Sequence, residues 1–419
     1  MHDYRTALVS ILQNSAFQPD VEPRAIQAFM SSLLVIIPDR LSDIITKGEL
    51  QPDYYNPGRV FDDVHILMCN DDKPNRMALQ YLVGDARLNL LNMPDDLTLV
   101  GRRPELLTGY RLRRWAAKGV AMARQMRPAL IRCHGADWNT YLASRIKAEL
   151  GVPYVVSMHI NPDVNPVRRY VDAQITSAQR RLNNFYSYVE REGLRNADLV
   201  MPVYRAILPY LKRLGVERVE VCYNVLNSKH LRVKSDYALH SPARIIYVGR
   251  LFEDKNPDNI IRALVRLPQA VLTVVGDGPI RPRLEQLVVE LGISDLVIFR
   301  PAVANDELCE LLAEQDVFAV HTEYWEISKS VLEALLTGLP VIINRRIGEP
   351  VPELDGDFVR MVENTEDAYF QALNRLLTDH EERTALGRRA LTHARANWDP
   401  AITEAKYASI YRSFLKQGA

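Results

Sequence analysis

Ten short apolar runs of about five residues alternate with helical patterns along this chain, and that alternation constrains the fold more than any other feature. The candidate strands are Leu33–Ile37, Val64–Met68, Ala129–Cys133, Tyr154–Met158 and Leu199–Val203, then Arg244–Val248, Ala270–Val275, Leu296–Phe299, Asp316–Val320 and Pro340–Asn344. Strands that are apolar throughout, each leading into a helix, belong to parallel sheets covered on both faces. Ten of them exceed one small sheet. The stretch Asn224–Pro242 is polar and weakly patterned, which marks it as the connection between two doubly wound α/β domains. The first thirty residues read as a helical extension. Near the other end, Asp399 followed by Pro400 predicts a helix start, with Asp399 capping and Pro400 at the first helical position.

Composition narrows the function classes. Lys plus Arg equals Asp plus Glu at 52 each in 419 residues, so a chain-wide electrostatic grip on nucleic acid is not expected. With 47% hydrophobic and 25% charged residues the chain has a globular balance, not a disordered one. No apolar run approaches the roughly 18 residues that cross a bilayer. Cys69, Cys133, Cys222 and Cys309 are scattered, with no CxxC or Cys/His cluster, which argues against a zinc site or a disulfide framework and for a reducing, cytoplasmic setting. The neutral total hides an asymmetry: residues 1–240 carry a balance of +7 and the remainder −7. The excess gathers in residues 101–132, where nine Lys/Arg face one acid, Glu105. Basic residues interleaved with Trp115, Val120 and Met122 suggest either a solvated helix face or a surface for anionic lipid or an anionic acceptor.

Three blocks carry the chemistry. In RIIYVGRLFEDKNPDNIIRAL (244–264) a strand ends at Gly249, and Arg250 and Lys255 follow in one loop before a helix. Two cations beside a helix N-terminus at the carboxyl end of a parallel strand suit a phosphate or diphosphate. In the second block a strand runs into Gly276-Asp277-Gly278-Pro279, either a tight turn or a close backbone approach to a ligand. It lacks the third glycine of the dinucleotide fingerprint, so a nicotinamide or flavin cofactor is not expected. The third block, HTEYWEISKSVLEALLTGLPVIIN (321–344), places Ser328 to cap a helix, with Lys329 and Ser330 at its N-terminus and Gly338 beyond its end. Glu333, one turn on, can either take the two hydroxyls of a ribose or pair with Lys329. Asp355-Gly356-Asp357 has the letters of a metal-binding DxD but reads as a turn.

In their order these blocks resemble the family-four glycosyltransferases of the GT-B fold. The resemblance rests on VGRLFEDKNPDNIIRAL, VVGDGP, DVFAV, VLEALLTGLPVI and IGEPVPEL, joined in the first half by RPALIRCHGAD, LGVPYVVSMH, NADLVMPV and VEVCYNVL. It covers roughly residues 30–416. It implies two Rossmann-like doubly wound domains facing a cleft: an acceptor-side domain over 1–235, a nucleotide-sugar domain over 236–398, and a last helix in 399–419 packing back on the first domain. It further implies a retaining enzyme using a nucleotide-diphosphate sugar as co-substrate, with no metal, no further cofactor and no nucleic-acid partner. The acceptor would be a glycan, a lipid-linked sugar or a small molecule, with peripheral membrane contact through 101–132 if it is lipid-linked.

The resemblance also assigns roles. Arg250 and Lys255 would contact the diphosphate, with Gly249, Gly276, Gly278, Ser328, Lys329 and Ser330 around the donor. Glu333 matches the ribose-binding second glutamate of the family's paired motif. Its first glutamate, near the sugar ring, normally stands eight positions earlier, where this chain has Trp325. Glu326 is the neighbouring candidate, and Ile327-Ser328-Lys329 replace the usual glycines. His159, closing VVSMH, matches a histidine that reaches the donor sugar, and His134 is a weaker candidate. The first strand leads into a segment offering only Gly48 and Gly58, so a glycine-rich phosphate loop is not evident there. A protein of this shape without transfer activity, acting as a binding subunit, and a nucleotide-sugar epimerase or phosphorylase are the competing readings.

Overall fold

A computed structural model describes residues 31–46, 50–94, 105–162, 175–323, 326–345 and 351–417. The expected helical extension over the first thirty residues lies outside them, as do Gly48 and Trp325. Twelve strands form two parallel six-stranded sheets. The first contains β1 (Ser32–Ile37), β2 (Asp63–Met68), β3 (Arg87–Asn92), β4 (Leu130–His134), β5 (Tyr154–Met158) and β6 (Leu199–Pro202), ordered β3-β2-β1-β4-β5-β6. The second contains β7 (Ala243–Val248), β8 (Ala270–Val275), β9 (Val297–Arg300), β10 (Val317–Val320), β11 (Val341–Asn344) and β12 (Arg360–Val362), ordered β12-β11-β10-β7-β8-β9. Both orders are the same Rossmann arrangement, which reverses direction at its first strand. A crevice therefore opens at the carboxyl ends of β1 and β4, and another at those of β7 and β10.

The central strands were legible because they are buried on both faces. Leu33 to Ile37 of β1 are all fully buried. Leu34 and Ile36 join a core that continues into the second sheet. Leu33, Val35 and Ile37 face a separate cluster with Tyr407, Ile410 and Tyr411. Those three belong to the helix Pro400–Gln417, which thus covers one face of the first sheet. Its start is set by Asp399, whose carboxylate accepts from the Ala401 amide at 2.9 Å. The two strands absent from the sequence reading, β3 and β12, are sheet edges. β3 reads RLNLLN and is exposed at both ends, and β12 has only three residues, so neither shows a continuous apolar run.

Two expectations need amendment. The stretch Asn224–Pro242 does carry the chain from one sheet to the other without regular structure, but it is packed. Tyr237 is buried, its hydroxyl donates to the Gly338 carbonyl at 2.9 Å, and its own carbonyl accepts from Arg383. The basic stretch contributes the helix Glu105–Met126. Leu112, Trp115, Ala116, Val120 and Ala123 face the core, and Arg113, Arg114, Lys118 and Arg124 face outward. Among the side chains described from Gly109 on, these apolar residues are taken up by the core, while Tyr110 and those basic residues stay exposed.

Candidate active site

On the second sheet, β7 ends at Val248 and the chain turns through Gly249–Lys255. The Tyr247 hydroxyl donates to the Lys255 carbonyl, folding the loop back on its own strand. The neighbouring turn after β8 locks against this loop. The Leu251 amide donates to the Asp277 carbonyl at 2.9 Å, and the Ile280 amide to the Leu251 carbonyl at 3.2 Å. Gly276 has φ +144°, and a Cβ there would lie 2.0 Å from the Gly249 oxygen; at Gly278 it would lie 2.1 Å from that of Leu251. The glycines of this turn are therefore required by the approach of one loop to another. Arg250 lies on the exposed side of the loop, its guanidinium 5.3 Å from the Phe252 ring centre. Lys255 points the other way and pairs with Glu326.

Glu326 precedes the helix Lys329–Thr337, whose cap is Ser328. The Ser328 Oγ accepts from the Val331 amide at 3.4 Å, and the Ser330 Oγ donates to the Val248 carbonyl at 3.3 Å, anchoring the helix N-terminus beside the end of β7. Gly338 ends the helix with φ 84°, as its position predicts. Glu333 is buried, and Asn305 donates to its Oε1 at 2.7 Å. Asn305 in turn meets Nδ1 of His230 at 2.9 Å, and His230 meets Asn227. The contact at Glu333 thus involves Asn305, a residue that carried no signal in the sequence.

From the first sheet, β4 delivers His134 and β5 is followed directly by His159. The two imidazoles stack with centres 4.4 Å apart. Burial, with the charges of Arg132 and Lys329 behind it, pushes His159 down to about 3; His134 is depressed by burial, by His159, and by the same two cations. Both rings are therefore neutral near pH 7. Among the described residues, Nε2 of His159 and Nδ1 of His134 are buried without a hydrogen-bond partner. Arg132 is buried under the rings of Tyr54, Tyr55 and Tyr407 at 4.8, 5.3 and 5.3 Å, and donates to the Tyr54 carbonyl at 2.7 Å.

The two halves meet in a cavity of about 310 Å³. His134, His159, Tyr204 and Asn224 line it from one side, and Lys255, Glu326, Ser328 and Lys329 from the other. Six of the residues singled out from the sequence, His134, His159, Lys255, Glu326, Ser328 and Lys329, thus share one space although 195 positions separate the first from the last. Arg250, Gly249, Gly276, Gly278, Ser330 and Glu333 are not among its lining. Tyr204 and Asn224 are additional lining residues; Tyr204 lies just past the end of β6, a place the sequence marks only once the strand order is known. Asp357 of the DxD-like turn pairs with Arg389 at 3.2 Å.

Two family models match the chain: "Glycosyl transferase 4-like domain" over residues 59–224 and "Glycosyl transferases group 1" over 234–393. A GDP-mannose-dependent alpha-(1-6)-phosphatidylinositol monomannoside mannosyltransferase of Mycolicibacterium smegmatis is 30% identical over 191 residues, 43% of this chain and 50% of that protein. An alpha-D-kanosaminyltransferase of Streptomyces kanamyceticus is 24% identical over 374 residues, 81% of this chain and 91% of the other. The chain thus spans about half the length of the first relative and most of the second. Among solved structures, the sucrose-phosphate synthase of Thermosynechococcus elongatus superposes with a TM-score of 0.69 at 17% identity, covering 92% of this chain and all of that one. The Anabaena protein HepE in complex with UDP and glucose gives 0.67 at 17% identity, covering 92% of this chain and all of its own. At these identities the likeness is one of fold.

Proposed function

Because the chain belongs to the group 1 glycosyl transferases and has their GT-B fold, we propose that it moves a sugar from a nucleotide diphosphate to a glycan, glycolipid or small-molecule acceptor, with retention of anomeric configuration. The observation that carries this reading is the shared cavity, in which neutral His134 and His159 face the paired Lys255 and Glu326. We assign residues 1–235 to the acceptor side, 236–398 to the donor side, and 399–419 to the helix that returns to the first sheet. Glu326 takes the sugar-side role despite the shortened glutamate spacing, because the chain between β10 and the helix delivers it to Lys255.

The chemistry follows from the charges. As the bond from the anomeric carbon to the diphosphate oxygen breaks, negative charge grows on the leaving group. Lys255, the N-terminus of the helix Lys329–Thr337 and, at the loop surface, Arg250 would stabilise it. The acceptor hydroxyl attacks the same face, forms the new bond to the anomeric carbon, and gives its proton to the departing phosphate oxygen. His159 would hold a sugar hydroxyl through Nε2, a role suited to a neutral ring. Glu333 would take the ribose diol in exchange for Asn305. Gly249, Gly276, Gly278 and Ser330 would shape the donor loops from behind.

The acceptor falls to the first half, whose outward basic helix face would hold an anionic membrane by charge alone, at about 1 kcal/mol per basic residue near the surface. The test is a panel of nucleotide sugars incubated with the protein and acceptor extracts, with the anomeric proton of the product followed by NMR. A product keeping the donor's configuration supports the proposal. Isomerised sugar nucleotide without transfer, an inverted product, or no consumption of any donor defeats it.

A further inference from the structure

Glu333 is only 3% exposed and is not among the residues lining the cavity, although Lys329, one helical turn before it, is. Its Oε1 is held at 2.7 Å by Asn305, the first residue of the helix Asn305–Ala313. Asn305 does not serve its own helix, whose cap position is Ala304 and has no side-chain bond. An ionised carboxylate only accepts, so Asn305 turns its NH2 to Glu333 and its oxygen to Nδ1 of His230, 2.9 Å away. An amide oxygen also only accepts, so that Nδ1 carries the ring proton. Asn227, buried in the connection between the sheets, holds the other side of the ring. Its oxygen takes the Lys229 amide at 3.1 Å, which leaves its NH2 for the ring and, at 3.4 Å, for the Tyr81 hydroxyl. That NH2 lies 3.1 Å from Nε2 and 3.2 Å from Nδ1, and the lone pair free to receive it is the one on Nε2. The orientation of each group from Asn227 to Glu333 is thereby set.

Resting on the reading of Glu333 as the ribose contact, we propose that Asn305 is a stand-in that the ribose has to displace, and that His230 is the positioning residue that holds it in place. The amide and the diol compete for one buried carboxylate. The bond given up on binding is set against the bonds gained, which weakens the hold on the nucleotide. When the spent nucleotide leaves, Asn305 closes on Glu333 again, and the buried carboxylate is not left without a donor. His230 matters because an Asn305 free to rotate would spend part of its time turned away from Glu333.

The experiment is calorimetry on the full chain. Uridine, guanosine and adenosine diphosphates are first titrated into wild type to find an accepted ribonucleotide. That nucleotide and its dideoxyribose counterpart, which has no diol, are then titrated into wild type, Asn305→Ala, His230→Phe and His230→Asn. Asn puts an amide NH2 where Nδ1 stood, whereas Phe fills the space without a donor. The proposal expects Asn305→Ala and His230→Phe to tighten the ribonucleotide about fivefold or more, the scale of one net hydrogen bond, and the dideoxy form by less. It expects His230→Asn to behave as wild type. Weaker ribonucleotide binding in Asn305→Ala overturns it, since Asn305 would then hold Glu333 ready for the ribose. Equal changes for the two nucleotides, or a His230→Phe variant that differs from wild type only in Tm, overturn it as well. Should His230→Phe not fold, Asn305→Ala, a change in the first turn of a helix, decides alone. If wild type binds none of the three ribonucleotides, the donor-site reading fails first; if it binds the two sugar forms equally, the ribose role of Glu333 fails first. In either case this inference falls with it.

Discussion

Replacing Glu326 by Gln should make the protein bind nucleoside diphosphates more tightly while it transfers sugar more slowly. In the free protein the Lys255 ammonium is held by Glu326, with side-chain exposures of only 13% and 21%. An arriving phosphate has to break that pair before it gains Lys255. An exposed ion pair is worth about 0.2–1 kcal/mol, and a hydrogen bond to a charged group about 1.5–3 kcal/mol. The partial burial here places the competition near 1–2 kcal/mol, or about 5- to 30-fold in affinity. Gln keeps the volume and an acceptor oxygen, so the lower end is expected. The assay is calorimetric titration of the accepted nucleoside diphosphate into both proteins, with turnover measured alongside. An unchanged or weaker affinity in Glu326→Gln, while Lys255→Ala still loses binding, would refute the competition and make Glu326 a direct helper of the diphosphate site.

Other consequences are as concrete. Gly276→Ala forces a Cβ to 2.0 Å from the Gly249 oxygen at φ +144°, so it should cost about 3 kcal/mol or more and appear as a fall in Tm; an unchanged Tm would mean the two loops are not packed as described. The depressed His159 makes stability pH-dependent. The unfolded ring takes up a proton below its ordinary value of about 6.5 and the folded ring only near 3, so stability should fall as pH drops through that window, by about 2 kcal/mol at pH 5. His159→Asn should lessen this slope in urea unfolding, the remainder staying with His134, which burial also lowers, and an identical slope would refute the assignment. Replacing Arg111, Arg113 and Arg114 by Glu should abolish low-salt sedimentation with anionic vesicles without altering nucleotide affinity. Vesicle binding that survives the change, or that persists in high salt, would contradict a purely electrostatic contact.

What the sequence disclosed, and what it did not, has a physical pattern. Runs such as Leu33–Ile37 and Ala270–Val275 are visible because both faces of a central strand are buried. β3 and β12 escape because an edge strand is covered on fewer sides and needs no apolar run. The cap at Ser328 and the helix stop at Gly338 were readable because they depend on neighbours within one turn. Partners that depend on distant contacts were not. Nothing near Glu333 in the chain announces Asn305, and nothing near Gly276 announces that its missing Cβ makes room for the Gly249 carbonyl. The outward Arg and Lys of the basic helix were legible as charge, but only the packed structure shows that its Leu112, Trp115 and Val120 are already buried.

The central claim is that the cavity between the sheets holds a nucleotide diphosphate through Lys255, and one titration addresses it most directly. The four common nucleoside diphosphates are titrated into wild type and into Lys255→Ala, whose side chain ends in that cavity. The account predicts that at least one binds wild type and that its affinity falls about tenfold or more in the variant, as expected for losing a charge-assisted contact to phosphate. Binding of the same strength in both proteins, or of none of the four to wild type, would contradict it.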